Sequence, residues 1–372
     1  MAGWYDTDWL SRFKVTIDKD KVYADGDYSV LIAHDNMPSH FWDNVQDDGE
    51  DIVITEDDGV TKIDRDVVII NTTDEALAIR FMLTLSTAAD SVVYVYYNNP
   101  LASETNSTDA YPATLELYIG FDECGAGVPA SFVDRTSNGN DMTPVSIIQN
   151  AGQQGIGYAM SVDGSNDYAY ADDAASLDIT DDMTVMVWVR SSDASPDSDE
   201  WILTKYKTSD GNRSWGIRSG TSSGALYQVY VSDDGSFDAG HRKNYESSVT
   251  AIENAVWHHL AFTFDTGTLK LIVDGVEDST PTKTQDDAIT SIHSGAAEVV
   301  VSADGDHGSK WGTGYFDELM IFSEVLTPNE IKTYYMNVYD TANFYGVTEA
   351  ATTAAVQLNV HKINGVFTAV QS

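Results

Sequence analysis

Apolar and polar residues alternate with a period of two along most of this chain, the pattern of strands that bury one face. Phe13, Val15 and Ile17 alternate with polar neighbours, as do Ile52 and Ile54, and then Ile79, Phe81, Leu83 and Leu85. The run "VVYVYY" from Val92 to Tyr97 is β-branched and aromatic throughout, which suits a strand buried on both faces. The same reading predicts strands over 115–121, 158–162, 184–189, 224–231, 259–264, 269–273, 298–301 and 315–322. Asp274-Gly275 is a two-residue turn of the kind that closes a hairpin with positive φ. Only one helix is predicted. Thr327 supplies an N-cap, Pro328 the first helical position and Glu330 the other half of a capping box, with "IKTYYM" continuing to about Met336.

Breakers divide the strands into groups. "NNP" at Asn98 to Pro100 stops the first group, and 101–113 is polar, without period, and reads as a linker. Residues 1–100 are therefore expected to form a small β-sandwich serving as attachment or spacer, and 114–338 a larger sandwich or jelly roll. Past Tyr339, "TEAATTAA" is a small-residue connector, and Asn364-Gly365 marks a terminal hairpin. A hairpin of that size is marginal alone. Segment 339–372 is thus expected to dock on its own chain or to hold subunits together in an oligomer.

Charge narrows the partners. The chain has 59 Asp+Glu against 20 Lys+Arg, a formal net charge of -39. So negative a surface repels nucleic acid and anionic membranes, and it suits divalent cations, neutral glycans or a salty milieu. The one cysteine, Cys124, excludes an intrachain disulfide framework. No stretch approaches the ~20 apolar residues of a membrane span, and "MAGWYDTDWL" shows no signal peptide.

Four ordered segments carry a family resemblance. They are "LYIGFDECGAGVPASFVDRTSNGNDM", "YAMSVDGSNDYAYADDAASLDITDDMTVMVWVR", "VWHHLAFTFDTGTLKLIVDGVE" and "GYFDELMIFSEVLTPNEI". Together they resemble the LamG-like (concanavalin-A-like) jelly-roll family over about 115–337, with Val162 standing where the family usually has an aromatic residue. The first hundred residues are similar to a small uncharacterised β-domain that often precedes LamG-like modules, through "WYDTDWLSRFKVTI", "DGEDIVITEDDG" and "VYVYYNNP". The resemblance implies an all-β fold with a concanavalin-A-like sandwich that binds glycans or proteins, often with calcium at one edge.

In "YFDELMIF" both strand faces are mostly apolar, so one carboxylate, Asp317, is expected to point inward and to need a cation or donors. Calcium, which takes six to eight oxygens, would meet that need. Its expected co-ligands are Asp122, Asp134, Asn138 and Asn140 around the flexible Gly139, with Asp163 a further candidate. The competing reading makes these Asx-turns that cap a surface loop. The connector "DDAASLDITDD" is expected to turn its acids to water while Leu177 and Ile179 enter the core. Trp215 in "GNRSWG" and Trp311 in "SKWGTG", with Tyr206 and Tyr227, are the expected sugar-stacking residues. Trp188, Trp257, His258 and His259 read as structural.

Glucanases on this fold carry E-x-D-x-x-E on one strand, and no such triplet occurs here. The expectation is a non-catalytic recognition or structural protein on a virion (phage or archaeal virus) or extracellular surface: a decoration, fibre or spike. Its expected partners are a glycan or host cell surface, and neighbouring subunits or capsid and tail proteins. The alternatives are a cell-surface or secreted adhesion protein and a polysaccharide hydrolase.

Overall fold

The computed structural model describes residues 3–34, 36–123, 129–152, 156–193, 196–308, 312–350, 359–363 and 366–370. Its named strands pair antiparallel, as short alternating segments joined by tight turns dictate. Two sandwiches are stacked. In the first, a five-stranded sheet runs Tyr345–Ala350, Ser11–Ile17, Ser91–Tyr97, Val53–Thr55, Lys62–Ile63. A three-stranded sheet, Gly26–Ala33, Ala76–Leu85, Arg65–Asn71, completes it. The alternating Phe13, Val15 and Ile17 share one core with Val30, Ile32, Ile79 and Phe81.

One strand of that sheet comes from the far end of the chain. Tyr345–Ala350 pairs with Ser11–Ile17, with Ala350 opposite Arg12 and Tyr345 opposite Ile17. The sequence reading placed this stretch in a connector. Tyr345 corrects it: its buried hydroxyl donates to Ala33 O and accepts from Ala33 N, both at 2.9 Å. The expected linker at 101–113 is packed as well. Asn106 accepts from Val67 N and donates to Val67 O, standing in for a neighbouring strand at the edge of Arg65–Asn71. Tyr111, buried in the same segment, donates to Asp66 Oδ2 at 2.7 Å.

The second sandwich has two eight-stranded sheets. The middle sheet of the molecule runs Ile148–Ala151, Tyr158–Asp163, Thr313–Phe322, Met183–Ser191, His258–Asp265, Thr268–Val273, Val276–Glu277, and Leu115–Ile119 also pairs with Thr313–Phe322. The outer sheet runs Thr282–Asp286, Arg242–Glu246, Tyr227–Ser232, Asn212–Ser219, Trp201–Lys207, Val299–Val301, Tyr168–Ala171, Thr143–Val145. Val185, Val187, Leu260 and Phe262 of the middle sheet meet Ile217, Val229 and Val231 of the outer one in a shared core.

The middle sheet is covered on its other face too. Met186, Ala261, Ile272, Met320 and Phe322 belong to a second core with Val30 and Phe81 of the first sandwich. This explains why "MTVMVWV" lacks polar alternation. Each such side chain, fully buried, stabilises by about 1.5–3 kcal/mol.

The predicted helix fills the same junction as Pro328–Tyr339, three residues longer than expected. Thr327 Oγ1 accepts from Glu330 N and Glu330 Oε2 from Thr327 N, the complete capping box. Ile331, Tyr334 and Met336 join the junction core, and Asn337 bonds both Leu31 N and Leu31 O across it. The terminal hairpin is present as Asn359–Ile363 against Val366–Val370, pairing with no other described strand. Its turn, Asn364-Gly365, lies outside the described residues. No described helix is long and apolar enough to cross a membrane.

Candidate functional site

Strand Thr313–Phe322 holds Asp317, the carboxylate that the sequence singled out, with Glu318 beside it. Between Trp188 opposite Asp317 and Met186 opposite Met320 the register slips by one residue, and Glu318 sits at φ +51°. This bulge breaks the alternation, so Asp317 and Glu318 are both buried where one was expected inside. Glu318 turns to the junction and pairs with the buried Arg80. Arg80 also donates to Tyr118 Oη at 2.8 Å and Ser29 O at 3.2 Å, and Tyr118 Oη donates to Glu318 Oε1 at 3.0 Å. Arg135 lies 3.7 Å from Asp66 and 3.7 Å from Glu123 in the same region. Burial, and then the charge of Glu318, push the Asp122 carboxyl well above the usual carboxylate range. This network ties the sandwiches together, and its depth keeps a polysaccharide from it.

The expected calcium ligands divide into two kinds. Asp134 is saturated: Oδ1 accepts from Tyr118 N and Thr136 N, and Oδ2 from Asn140 N and Thr136 Oγ1. Asn138 and Asn140 donate their amides to Glu116 O. Asp134 thus has no oxygen to spare, and the amides of Asn138 and Asn140 are spent on organising the loop, as the Asx-turn reading had it. Asp163 is exposed and caps its own turn by accepting from Ser165 N at 2.9 Å.

Asp122 and Asp317 instead flank the hairpin of Ile148–Ala151 and Tyr158–Asp163. Asp122 Oδ1 accepts from Tyr158 N at 3.0 Å and lies against Gly157. A Cβ placed on Gly152 would stand 2.7 Å from Asp317 Oδ2, 2.3 Å from Ile156 O and 3.2 Å from Tyr158 O. Three oxygens thus converge on a space that only glycine leaves open, a donor set that fits a hard cation.

The aromatic expectations need correction. Trp215 is 1% exposed and packs in the sandwich core, 5.8 Å from Phe262. "GNRSWG" is strand Asn212–Ser219 and Trp215 is inward with Ile217, so it offers no face to a sugar. Tyr227 is buried likewise, its hydroxyl donating to Ala261 O and Ile272 O across the core. Tyr206 lies in a separate cluster with Trp201 and Tyr230. Trp311 lies outside the described residues.

Residues 163–332, most of both eight-stranded sheets, match the model of the concanavalin A-like lectin/glucanases superfamily. That segment is similar to concanavalin A-like lectin/glucanase domains. Among solved structures, the binding domain of Paraclostridial Mosquitocidal Protein 1 is 12% identical, with a TM-score of 0.46 over 61% of this chain and 53% of its own. The botulinum neurotoxin serotype G binding domain is 14% identical, with a TM-score of 0.45 over 59% of this chain and 50% of its own. The chain therefore spans about half the length of these toxin domains. Domain 4 of AbnA, a GH43 extracellular arabinanase from Geobacillus stearothermophilus solved with arabinotriose, is 19% identical, with a TM-score of 0.39 over 59% of this chain and 97% of its own. No curated protein sequence matches.

Within the matched segment two polar devices escaped the sequence reading. Lys205, 1% exposed, reaches Asp173 at 2.6 Å, Asp178 at 3.3 Å and Ala297 O at 2.8 Å. The connector acids were expected to face water, and two of them clamp this lysine, with Leu177 in the core between them. The alternation of strand Trp201–Lys207 around a lone inward lysine was the available signal. His258 and His259 are structural as expected. His258 stands between Asp274 at 2.8 Å and Glu253 at 3.1 Å. His259, on the opposite face, lies against Trp188 and Tyr335. Asp233, Asp234 and His241 come together at the surface, with His241 3.0 Å from Asp233 and 3.3 Å from Asp234.

Proposed function

We propose that the protein is a non-catalytic recognition protein of a virion or other exposed surface, and that its lectin/glucanase domain binds glycans or a host surface with calcium in support. The observation that carries this reading is the layering. The domain's middle sheet is sealed by the first sandwich and the helix, which leaves the outer sheet and the rim loops to meet a ligand. The first sandwich and the terminal hairpin supply attachment and contacts between subunits. So acidic a surface stays soluble when copies are crowded on a particle.

Calcium would be held by Asp317 with the carbonyls of Ile156 and Tyr158, with Asp122 beside it. It would supply positive charge beside these two buried carboxylates. Glycan-array binding with calcium and with chelator tests the whole reading. Binding that chelator weakens supports it, and sugar release from a bound polysaccharide, or no binding at all, overturns it. A bound ion at a hundred times its Kd would add about 2.7 kcal/mol to stability. Calcium should therefore raise the melting temperature of the native chain and not that of Asp317→Asn.

A further inference from the structure

On its solvent side the outer sheet carries a column of rings capped by arginines. Tyr206 alternates with Lys205, which pairs with the core residue Trp215, and so faces out of the core, and a register slip at Ser214 of the neighbouring strand sets Arg213 opposite it. Trp201 and Tyr206 have centroids 4.8 Å apart, Tyr206 and Tyr230 meet edge-on at 5.2 Å, and Tyr230 stacks on Phe237 at 5.1 Å. The loop after Tyr227–Ser232 brings Phe237 onto the column, and Phe237 stays 41% exposed. Three guanidiniums lie over these rings: Arg218 over Trp201 at 5.5 Å, Arg213 over Tyr206 at 5.6 Å and Arg242 over Phe237 at 3.7 Å.

What sets two of these arginines apart is that neither guanidinium makes an ion pair among the described residues, although Asp287, which accepts from Arg242 N at 3.2 Å, stands beside Arg242. Acids outnumber bases 59 to 20 in this chain, and the neighbouring cations are paired: Lys205 with Asp173, Lys207 with Asp210, Arg218 with Asp199 and Lys243 with Asp286. The Arg213 guanidinium donates to Gly235 O at 3.3 Å and Thr208 O at 3.2 Å and acts on the Tyr206 hydroxyl, and the Arg242 guanidinium donates to Phe237 O at 2.5 Å. The Nε–H of each has no acceptor. On the same sheet face Asn244, 7% exposed and opposite Tyr230 in register, has an Oδ1 without a donor. Burial pushes the Tyr206 phenol up while Arg213, Arg218 and Arg242 pull it down, so all three cations act on one spot.

We propose that this face binds an acidic glycan, with Arg213 and Arg242 taking a carboxylate or sulfate and the exposed Phe237 ring meeting the sugar's C–H face. The guanidinium fork matches both anions, and an aromatic face beside it suits a pyranose ring. The proposal rests on the glycan-binding reading and names the ligand's chemistry.

Calorimetric titration of the full chain with an oligogalacturonate, a sulfated dextran oligosaccharide and neutral dextran tests it. At least one acidic probe should bind, more weakly as salt is raised, and neutral dextran should not. Which acidic probe binds separates carboxylate from sulfate. Arg213→Gln with Arg242→Gln should lower affinity about tenfold or more, the loss of charge-assisted hydrogen bonds. Arg190→Gln, whose guanidinium lies over Tyr315 of the middle sheet, should leave affinity unchanged. If the double variant does not fold, Phe237→Ser must show the loss instead. Equal binding of neutral and acidic probes, an Arg213→Gln with Arg242→Gln variant that binds as well as the native chain, or no acidic probe bound overturns the proposal. Neutral glycans still bound on the array would then leave the broader function standing, and no glycan bound by any measure removes both.

Discussion

His259 shows at residue scale what this packing does to a titrating group. Burial between Trp188 and Tyr335 drives its pKa down to about 4, with Asp274 opposing the shift. The unfolded chain takes up that proton near the ordinary value of 6.5, so between these two values the unfolded state binds more protons and stability rises with pH. Acidification through the window should cost on the order of 3 kcal/mol at this residue. His258 works in the opposite sense: burial acts to lower its pKa, but Asp274 and Glu253 outweigh it and raise it. Denaturant titrations at several pH values should show a flatter acid limb for His259→Gln than for the native chain; parallel curves would contradict the assignment. Arg80 and Glu318 form the costliest pair to break. Glu318→Gln should destabilise by about 3–5 kcal/mol, because it leaves Arg80 charged and buried, and chemical denaturation would read that directly. The inward Asp317 was legible from apolar residues on both sides of its strand. Glu318 was not, since a bulge leaves no mark in an alternating pattern. Trp215 was misread because glycine and serine around it looked like a loop, although its spacing with Ile217 already fitted a strand.

At the scale of elements, helix Pro328–Tyr339 was readable to its first residue because a capping box is local chemistry. Its end was less so, because the last turn is held by burial of Val338 rather than by any cap signal. Strand Tyr345–Ala350 was invisible for a similar reason: its partner lies more than three hundred residues earlier, and no local pattern reports so distant a neighbour. Ending the chain after Phe344 should uncover the edge of Ser11–Ile17, and unpaired edges recruit other chains. Lower stability and aggregation in light scattering are expected. Ending it after Ala350 should leave the melting temperature unchanged while altering subunit assembly in sedimentation; a large fall in melting temperature would show that the hairpin belongs to the fold.

For the whole molecule, the two strand groups were legible and their independence was not. Breaker-rich composition at 101–113 suggested a free linker, whereas Tyr111, Asn106 and the junction core make the sandwiches share their interior. One core predicts one transition. Calorimetry should show a single unfolding event with equal calorimetric and van't Hoff enthalpies, and two resolved peaks would contradict this. The pairing of Arg12 with Ala350 has a further consequence. Both flanks of the stacked sandwiches emerge at one pole, on the small sandwich, and the arginine-capped sheet is the layer farthest across the stack. A circular permutant that joins these flanks by a short bridge and opens at the Asp265–Thr268 turn would keep every strand pair of the two sandwiches, and a probe fused at either flank would hang clear of the arginine-capped side.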